Sequence, residues 1–349
     1  MEAVSTSRLR PGVRTVAFRT ALGLGGGAVL IVTFLRLVNV TAVYQRLTHL
    51  QVGYVLPCGV AFLAAYVVRA MRWRCLLGSD RLSLGQATAI YQVATFLNWM
   101  LPVRGGELAK SLLLRRLNGM PVSQSLATVT LDKTMDLLPA AVLLALLPFL
   151  HVNLSRPLWF LLVCAMAVVA LAIVLLAFVV WRREATLGMI NRLLAKLLND
   201  RARRRVSPFL ARFIDTLVAM TRRPRLMLVA AACTAVAVGL DALFCLLAFK
   251  AVGVTVALPI VLFGYTFYNL AFILPTPPGQ IGSNELVGLL IFAGLFRVNR
   301  AGVGAMFLFA HPWTAILMAA SGLLSLSMMG LTLKSTWRLA RGPAQGEGA

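Results

Sequence analysis

Six stretches of this chain, 16–38, 52–77, 122–150, 157–181, 226–250 and 301–333, are long and apolar enough to cross a bilayer as single helices. Crossing the hydrocarbon layer takes about 20 mostly apolar residues, and backbone there must satisfy its hydrogen bonds internally. Two further apolar stretches, 84–117 and 256–296, are broken in the middle by polar and helix-breaking residues. Of the 349 residues, 60% are hydrophobic and 13% charged, whereas soluble domains carry about a quarter charged residues. Lipid is therefore the expected solvent. The expected fold class is all-α: a polytopic helical membrane protein with about six full spans and two oppositely oriented re-entrant hairpins.

The formal net charge of +23 raises the question of nucleic acid, since basic proteins neutralise phosphates. Placement answers it. Arg and Lys collect between the apolar runs, as the positive-inside rule and anionic lipid headgroups require, so no nucleic-acid partner is expected. A basic tail over residues 1–15, the cluster Arg69, Arg72, Arg74 and Arg81, the very basic segment 182–225, and Lys334, Arg338 and Arg341 are all expected on the cytoplasmic side. Both termini then lie inside, with a transmembrane domain over 16–338 and a short polar tail over 339–349. A bacterial inner membrane is the expected location. Arg8, Arg10, Arg14 and Arg19 precede the first apolar run as in a signal peptide, but no small-residue cleavage site follows, and a retained helix is expected.

This charge accounting bears on the broken segments. Basic clusters flank 84–117 on both sides, ending in Arg104, Lys110, Arg115 and Arg116. A hairpin entering from the cytoplasm keeps both clusters inside. Segment 256–296 must begin and end outside, so the two hairpins enter from opposite faces. Pro102, Gly105 and Gly106 break the first, and Pro275, Pro277, Pro278, Gly279 and Gly282 the second. Irregular backbone at membrane depth is tolerated where protein or a wet cavity surrounds it, and paired interruptions of opposite orientation point to a transporter-type site. The competing arrangement is eight ordinary spans. Within 182–225, Ile190, Leu193, Leu194, Leu197 and Leu198 recur at helical spacing around Arg192 and Lys196, which predicts an amphipathic surface helix. A second helical piece over Phe209–Met220 could pair with it.

Ionisable groups inside the apolar segments are the candidate site, because charges at membrane depth face cavities or partners. The first hairpin reads Asn98-Trp-Met-Leu-Pro-Val-Arg104-Gly-Gly-Glu107. Arg104 offers a planar fork for phosphate or carboxylate, or it simply pairs with Glu107. The second runs from Asn269 through Leu274-Pro-Thr-Pro-Pro-Gly-Gln-Ile-Gly to Glu285 and shares the order Asn, Leu-Pro, Gly, Glu. Asp132 and Asp136, either side of Lys133, lie four apart on one helical face. They could relay a proton, receive a cationic headgroup or neutralise Arg104. Arg69, Arg72 and Arg74 read as interfacial anchors able to touch lipid phosphate, and Asp241 as a fainter candidate. The candidate lipid-binding set is Arg72, Asn98, Arg104, Glu107, Asp132, Lys133, Asp136, Asn269 and Glu285. Five scattered cysteines and three scattered histidines suggest no metal or redox site, and no cofactor or catalytic motif stands in a suitable context.

With these residues in hand, the chain resembles the lysylphosphatidylglycerol synthase transmembrane-region family of flippase-like proteins. The resemblance rests on Arg69…Arg72-Trp73, Leu101-Pro102-Val-Arg104-Gly-Gly-Glu107, Asp132-Lys133…Asp136 and Leu274-Pro…Pro278-Gly279…Gly282…Glu285. Asp132-Lys133 stands where the family usually has Glu-Arg, and Gly279-Gln280 where it usually has Gly-Gly. The resemblance implies translocation of a phospholipid, glycolipid or isoprenoid-type amphiphile, with a membrane lipid as partner. The basic face is expected to meet anionic headgroups, and no aminoacyl-transfer chemistry is expected, since a short polar tail follows Leu333. A membrane enzyme using Asp132 and Asp136 as acid and base, or a scaffold of a lipid-synthesis complex, are the alternatives.

Overall fold

A computed structural model describes residues 13–78, 82–100, 105–146, 156–271 and 276–331; residues 101–104, Arg104 with them, and 272–275 lie outside these. Every regular element among the described residues is helical. Helix α1 (Val13–Leu37) leads into α2 (Val40–Thr48), and its stretch from Gly25 makes a 91° bend with α2. The Asn39 side chain caps α2 by accepting from the Ala42 N–H, which fixes the bend. A 3-10 turn at Val52–Tyr54 opens α3 (Val55–Leu77), and the first hairpin follows as α4 (Leu84–Met100) and α5 (Gly106–Asn118). Then come α6 (Val122–Met135), α7 (Leu138–Leu146), α8 (Arg156–Trp181), α9 (Arg183–Leu197), α10 (Asp200–Thr221) and α11 (Pro224–Ala251). The second hairpin comprises α12 (Leu258–Ala271), a 3-10 turn at Pro278–Gln280, α13 (Ser283–Gly288) and a π-helical segment at Leu289–Leu295, before α14 (Arg300–Met328).

Three continuous helical stretches, α3 with its leading turn, α11 and α14, are long and apolar enough to cross a membrane. The other expected spans are modified. The first ends in the bend at Val38–Asn39, and 122–150 is split by a turn at Asp136–Leu137 between α6 and α7, whose continuation past Leu146 is outside the described residues. Helix α8 occupies the expected 157–181 stretch. The centre of the bundle is α3 packed along α11. Ala61, Ala65 and Ala70 on α3 and Ala230, Ala237, Ala242 and Ala248 on α11 are buried, and Cys58 donates to the Phe244 carbonyl at 3.6 Å. Small side chains let helices approach closely where lipid offers no hydrophobic drive for association.

The hairpins enter from opposite ends of this pair. Helix α4 starts beside the end of α3, where Arg74 Nε donates to the Leu82 carbonyl at 2.6 Å. Helix α12 follows the end of α11, which lies at the start of α3, where the Gln51 N–H donates to the Ala251 carbonyl. They meet in the interior: the Trp99 indole lies 3.6 Å from where a Cβ on Gly279 would stand. At about 1.5 Å per residue, Trp99 is about 23 Å along α4, and His311 beside Gly279 about 17 Å along α14. Both broken segments thus reach mid-bundle and turn back.

The segment between α8 and α11 forms two helices, longer than the two short pieces expected. Helix α10 starts nine residues before the predicted Phe209, in a run carried through Pro208 and capped by Asn199. Its Ile214, Leu217 and Val218 are buried, and Leu217 packs with Leu76, Ala127, Leu131 and Ala230 beneath the bundle. Helix α9 keeps Met189, Leu193 and Leu197 exposed.

Gly106 marks where α5 presses onto α4. A Cβ there would stand 2.0 Å from the Ala94 carbonyl oxygen and 2.7 Å from the Asn98 side chain. Because the obstacle is backbone, Gly106→Ala should cost at least the upper part of the roughly 1–3 kcal/mol seen for overpacking. Thermal unfolding in detergent, followed by size-exclusion recovery, should show a clear drop; an unchanged midpoint would mean the hairpin arms are not this close.

Candidate functional site

Arg72 occupies the middle of the bundle with no solvent exposure, as does Asp132. Its Nε donates to Asp132 Oδ1 at 2.8 Å, its Nη1 to Thr234 Oγ1 at 2.8 Å, and its Nη2 to Asp136 Oδ1 at 2.7 Å and the Asp132 carbonyl at 3.0 Å. The guanidinium fork thereby ties α3 to α6 and α11. The far oxygen of Asp132 accepts from the Tyr91 hydroxyl at 3.2 Å and from Lys110 Nζ at 3.3 Å, which brings in both arms of the first hairpin. Lys110 is itself buried, its Nζ lying 3.7 Å from the Tyr91 ring centroid and 4.3 Å from that of Trp73. Aromatic faces attract a desolvated cation. A buried charge needs this many partners to be tolerated.

One turn along α3 from Arg72, Arg69 forms a two-pronged ion pair with Asp241 of α11. On the other side, Lys133 lies 3.2 Å from Glu107 and 3.7 Å from Asp136. Glu107 also accepts from Asn98 Nδ2 at 3.1 Å, and Asn98 Oδ1 accepts from the Gly106 N–H at 2.8 Å. The first hairpin is therefore closed by an Asn–Glu clasp across its break. The cluster balances: Arg69, Arg72, Lys110 and Lys133 face Asp132, Asp136, Asp241 and Glu107, four cations against four anions.

Six of these groups, all but Lys110 and Asp132, border a cavity of about 700 Å³ between the two hairpins. Ligand pockets run from about 300 to 1,000 Å³, so a headgroup fits. Asn98, Glu107, Lys133 and Asp136 line it from the first hairpin and α6 side, Arg69, Arg72 and Asp241 from the α3–α11 pair, and Asn269, Gln280, Asn284 and His311 from the second hairpin and α14. Within the charged cluster exposure is graded. Lys133, Asp136 and Glu107 side chains are 47%, 32% and 26% exposed, while Arg72, Asp132 and Lys110 are at 1% or less. The first three are open to the cavity, and the buried three pack behind them.

Of the candidate residues, Arg72, Asn98, Glu107, Lys133, Asp136, Asn269 and the cluster around Asp132 are brought together here. Arg104 lies outside the described residues. Glu285 sits on the far side of the cavity, with His311. Two readings change. Arg69 and Arg72 are internal ion-pair partners rather than interfacial anchors, because Asp241 and the Asp132–Asp136 face meet them at depth. Asp132 and Asp136 neutralise Arg72 of α3, a partner not considered from the sequence. Lys110, Tyr91, Thr234 and His311 were not among the candidates. For Lys110 and His311 a signal was present: an ionisable side chain in an apolar segment is functional by default. Tyr91 and Thr234 carry no such signal. The shared order of the two hairpin sequences does not extend to their bonding: Glu107 is clasped by Asn98, whereas Glu285 accepts from the Gly282 N–H at 2.9 Å and meets His311.

The profile of the family described as Lysylphosphatidylglycerol synthase TM region matches residues 18–332. No curated protein is significantly similar to the chain, nor is any solved structure.

Removing one partner from a buried pair strands the other, at about 3–5 kcal/mol, whereas replacing both with apolar residues is often neutral. Asp241→Ala should therefore destabilise the protein strongly, and the double variant Arg69→Met, Asp241→Leu should recover most of the loss. Melting temperatures in detergent test this; additive losses in the double variant would show that the pair is not coupled.

Proposed function

The chain belongs to the Lysylphosphatidylglycerol synthase TM region family, and from that premise we propose that it is a flippase-like lipid transporter. It is an integral membrane protein, and the family is one of membrane proteins in lipid metabolism or flipping. In the proposed mechanism the polar headgroup of a phospholipid, glycolipid or isoprenoid-type amphiphile enters the cavity between the hairpins while its tails stay in lipid. The observation that carries this reading is a cavity of about 700 Å³ lined by ionisable side chains where two opposed hairpins meet inside an apolar bundle. Charge at such depth is costly, and a lined passage for headgroups gives it a use.

The exposed triad suits a headgroup bearing phosphate and hydrogen-bond donors. Lys133 offers the accessible ammonium, and Glu107 and Asp136 flank it with acceptors. A guest phosphate exchanges for one of these carboxylates at Lys133, and the freed carboxylate takes the guest's donors. Asp132, whose two carboxylate oxygens are held by Arg72, Tyr91 and Lys110, is better suited to positioning than to acid–base chemistry, which favours transport over an enzymatic role. Outside the bundle, α9 presents Met189, Leu193 and Leu197 to its surroundings beside Arg192 and Lys196. That pattern suits burial at an anionic headgroup layer, which supports the reading that this end of the molecule and both termini face the cytoplasm at a bacterial inner membrane.

Reconstitution into phosphatidylethanolamine/phosphatidylglycerol liposomes containing fluorescently labelled phosphatidylglycerol, with dithionite quenching from outside, tests the proposal. The protein should make the inner-leaflet probe accessible. Lys133→Met and Glu107→Gln should each slow this on the order of tenfold, corresponding to about 1.4 kcal/mol. Transfer no faster than in protein-free liposomes would remove the transport reading, and a chemically altered lipid in mass spectra would replace it with an enzymatic one.

A further inference from the structure

Glu285 and His311 form a second ionisable centre, separate from the eight-charge cluster. They are 3% and 9% exposed, and His311 lines the cavity. The imidazole sits between two acceptors: Nε2 is 2.8 Å from the Gly279 carbonyl and Nδ1 is 2.5 Å from Glu285 Oε1. A carbonyl oxygen can only accept, so Nε2 carries its hydrogen. With that hydrogen assigned, the contact at 2.5 Å requires another proton, on Nδ1 or on Oε1, since both atoms otherwise present lone pairs. Oε2 is engaged by the Gly282 N–H at 2.9 Å. The pair therefore holds one exchangeable proton.

What that proton secures is a strained turn. Gly279, Gln280 and Gly282 have φ of +66°, +57° and +76°, and Gln280 is a non-glycine residue in the left-handed region, which costs energy unless its surroundings enforce it. His311 ties this turn to α14 from one side, and Glu285 closes it from the other. Among the described residues, the surrounding elements add little charge. Helix α12 brings the Tyr268 phenol near enough to sense Glu285, α1 brings the Gly27 backbone, α4 the Trp99 indole, and the π-helical segment LLIFAGL is uncharged.

We propose that Glu285 and His311 are a proton-binding site whose loss of one proton releases the second hairpin's turn from α14, and that lipid passage is thereby proton-coupled. The coupling clause rests on the transport reading; the proton site does not. On release, the proton between Nδ1 and Oε1 passes to water in the cavity. Neutral His311 keeps its Nε2 hydrogen, Glu285 is left as a carboxylate, and the pair, neutral overall before, carries one negative charge. The Nδ1 lone pair then faces a carboxylate; the repulsion drives the imidazole out of its place, Nε2 leaves the Gly279 carbonyl, and the turn loses its anchor.

A nitroxide on Ile281→Cys, in a background with the five native cysteines replaced, reports the turn, since Ile281 is 45% exposed. In nanodiscs of the intact protein, label mobility should rise with pH through a one-proton transition about two pH units wide. Glu285→Gln, whose amide can donate to neutral Nδ1 while its carbonyl keeps the Gly282 bond, should hold the label immobile at every pH. His311→Leu should leave it mobile at every pH. In liposomes with an imposed pH difference, both variants should lose the dependence of labelled-lipid transfer on that difference. A native label insensitive to pH, or a transition that persists in both variants, overturns the proton site. A turn that titrates as described without any lipid transfer overturns the transport reading and leaves the site standing; lipid transfer with a silent turn does the reverse.

Discussion

The bundle is organised around a guanidinium that cannot reach water. Arg72 is held by Asp132, Asp136 and Thr234 from two other helices, and every nearby charge is placed by the need to keep it neutral. An unpaired ion at this depth costs several kcal/mol, so α3, α6 and α11 have one arrangement relative to each other in which the cost is met. The first hairpin joins through Lys110 and Tyr91 on the remaining oxygen of Asp132. Apolar packing alone discriminates poorly between helix positions when lipid is as apolar as the partner helix. The polar core supplies the registration that alanine-rich contacts between α3 and α11 leave loose.

On that rigid half the two hairpins form the walls of a cavity. The first is fastened to the charged cluster by the Asn98–Glu107 clasp and by Lys133. The second rests on different chemistry: small residues, left-handed turns and one histidine bond to Gly279. Its backbone continues into a π-helical segment, a form that occurs mostly at functional places in proteins. One wall is thus locked by many mutually supporting ion pairs and the other by a few bonds. In any movement of one repeat-like half against the other, the second hairpin is the half with fewer constraints to break.

Hydrophobic length made α3, α11 and α14 legible from composition alone, because span length follows from bilayer thickness. The broken segments were legible for a related reason: Pro102 and Pro275 with their neighbouring glycines interrupt continuous helix, and basic residues on both sides of 84–117 weigh against a crossing. The bend between α1 and α2 was not visible, since it depends on a capping bond from Asn39 inside an unremarkable polar loop. The split at Asp136–Leu137 did have a signal, which reading 122–150 as one span passes over: Pro139, two residues on, has no N–H to bond the Met135 carbonyl and its ring crowds it. Side-chain pairing was the least legible part. Arg72 and Asp132 are sixty residues apart, and nothing local distinguishes an arginine that anchors at the interface from one that turns inward. The Glu285–His311 contact required knowing that α13 folds back against α14, which spacing cannot supply.

The balance of four cations and four anions in the cluster has an electrical consequence. A transmembrane potential does work of about 2.3 kcal/mol per elementary charge per 100 mV, but on a rigid assembly whose charges cancel that work vanishes when the assembly slides through a uniform field without turning. Voltage then acts on charge outside that balance. Among the described residues, the eight-charge cluster sliding as one body is close to invisible to the membrane field.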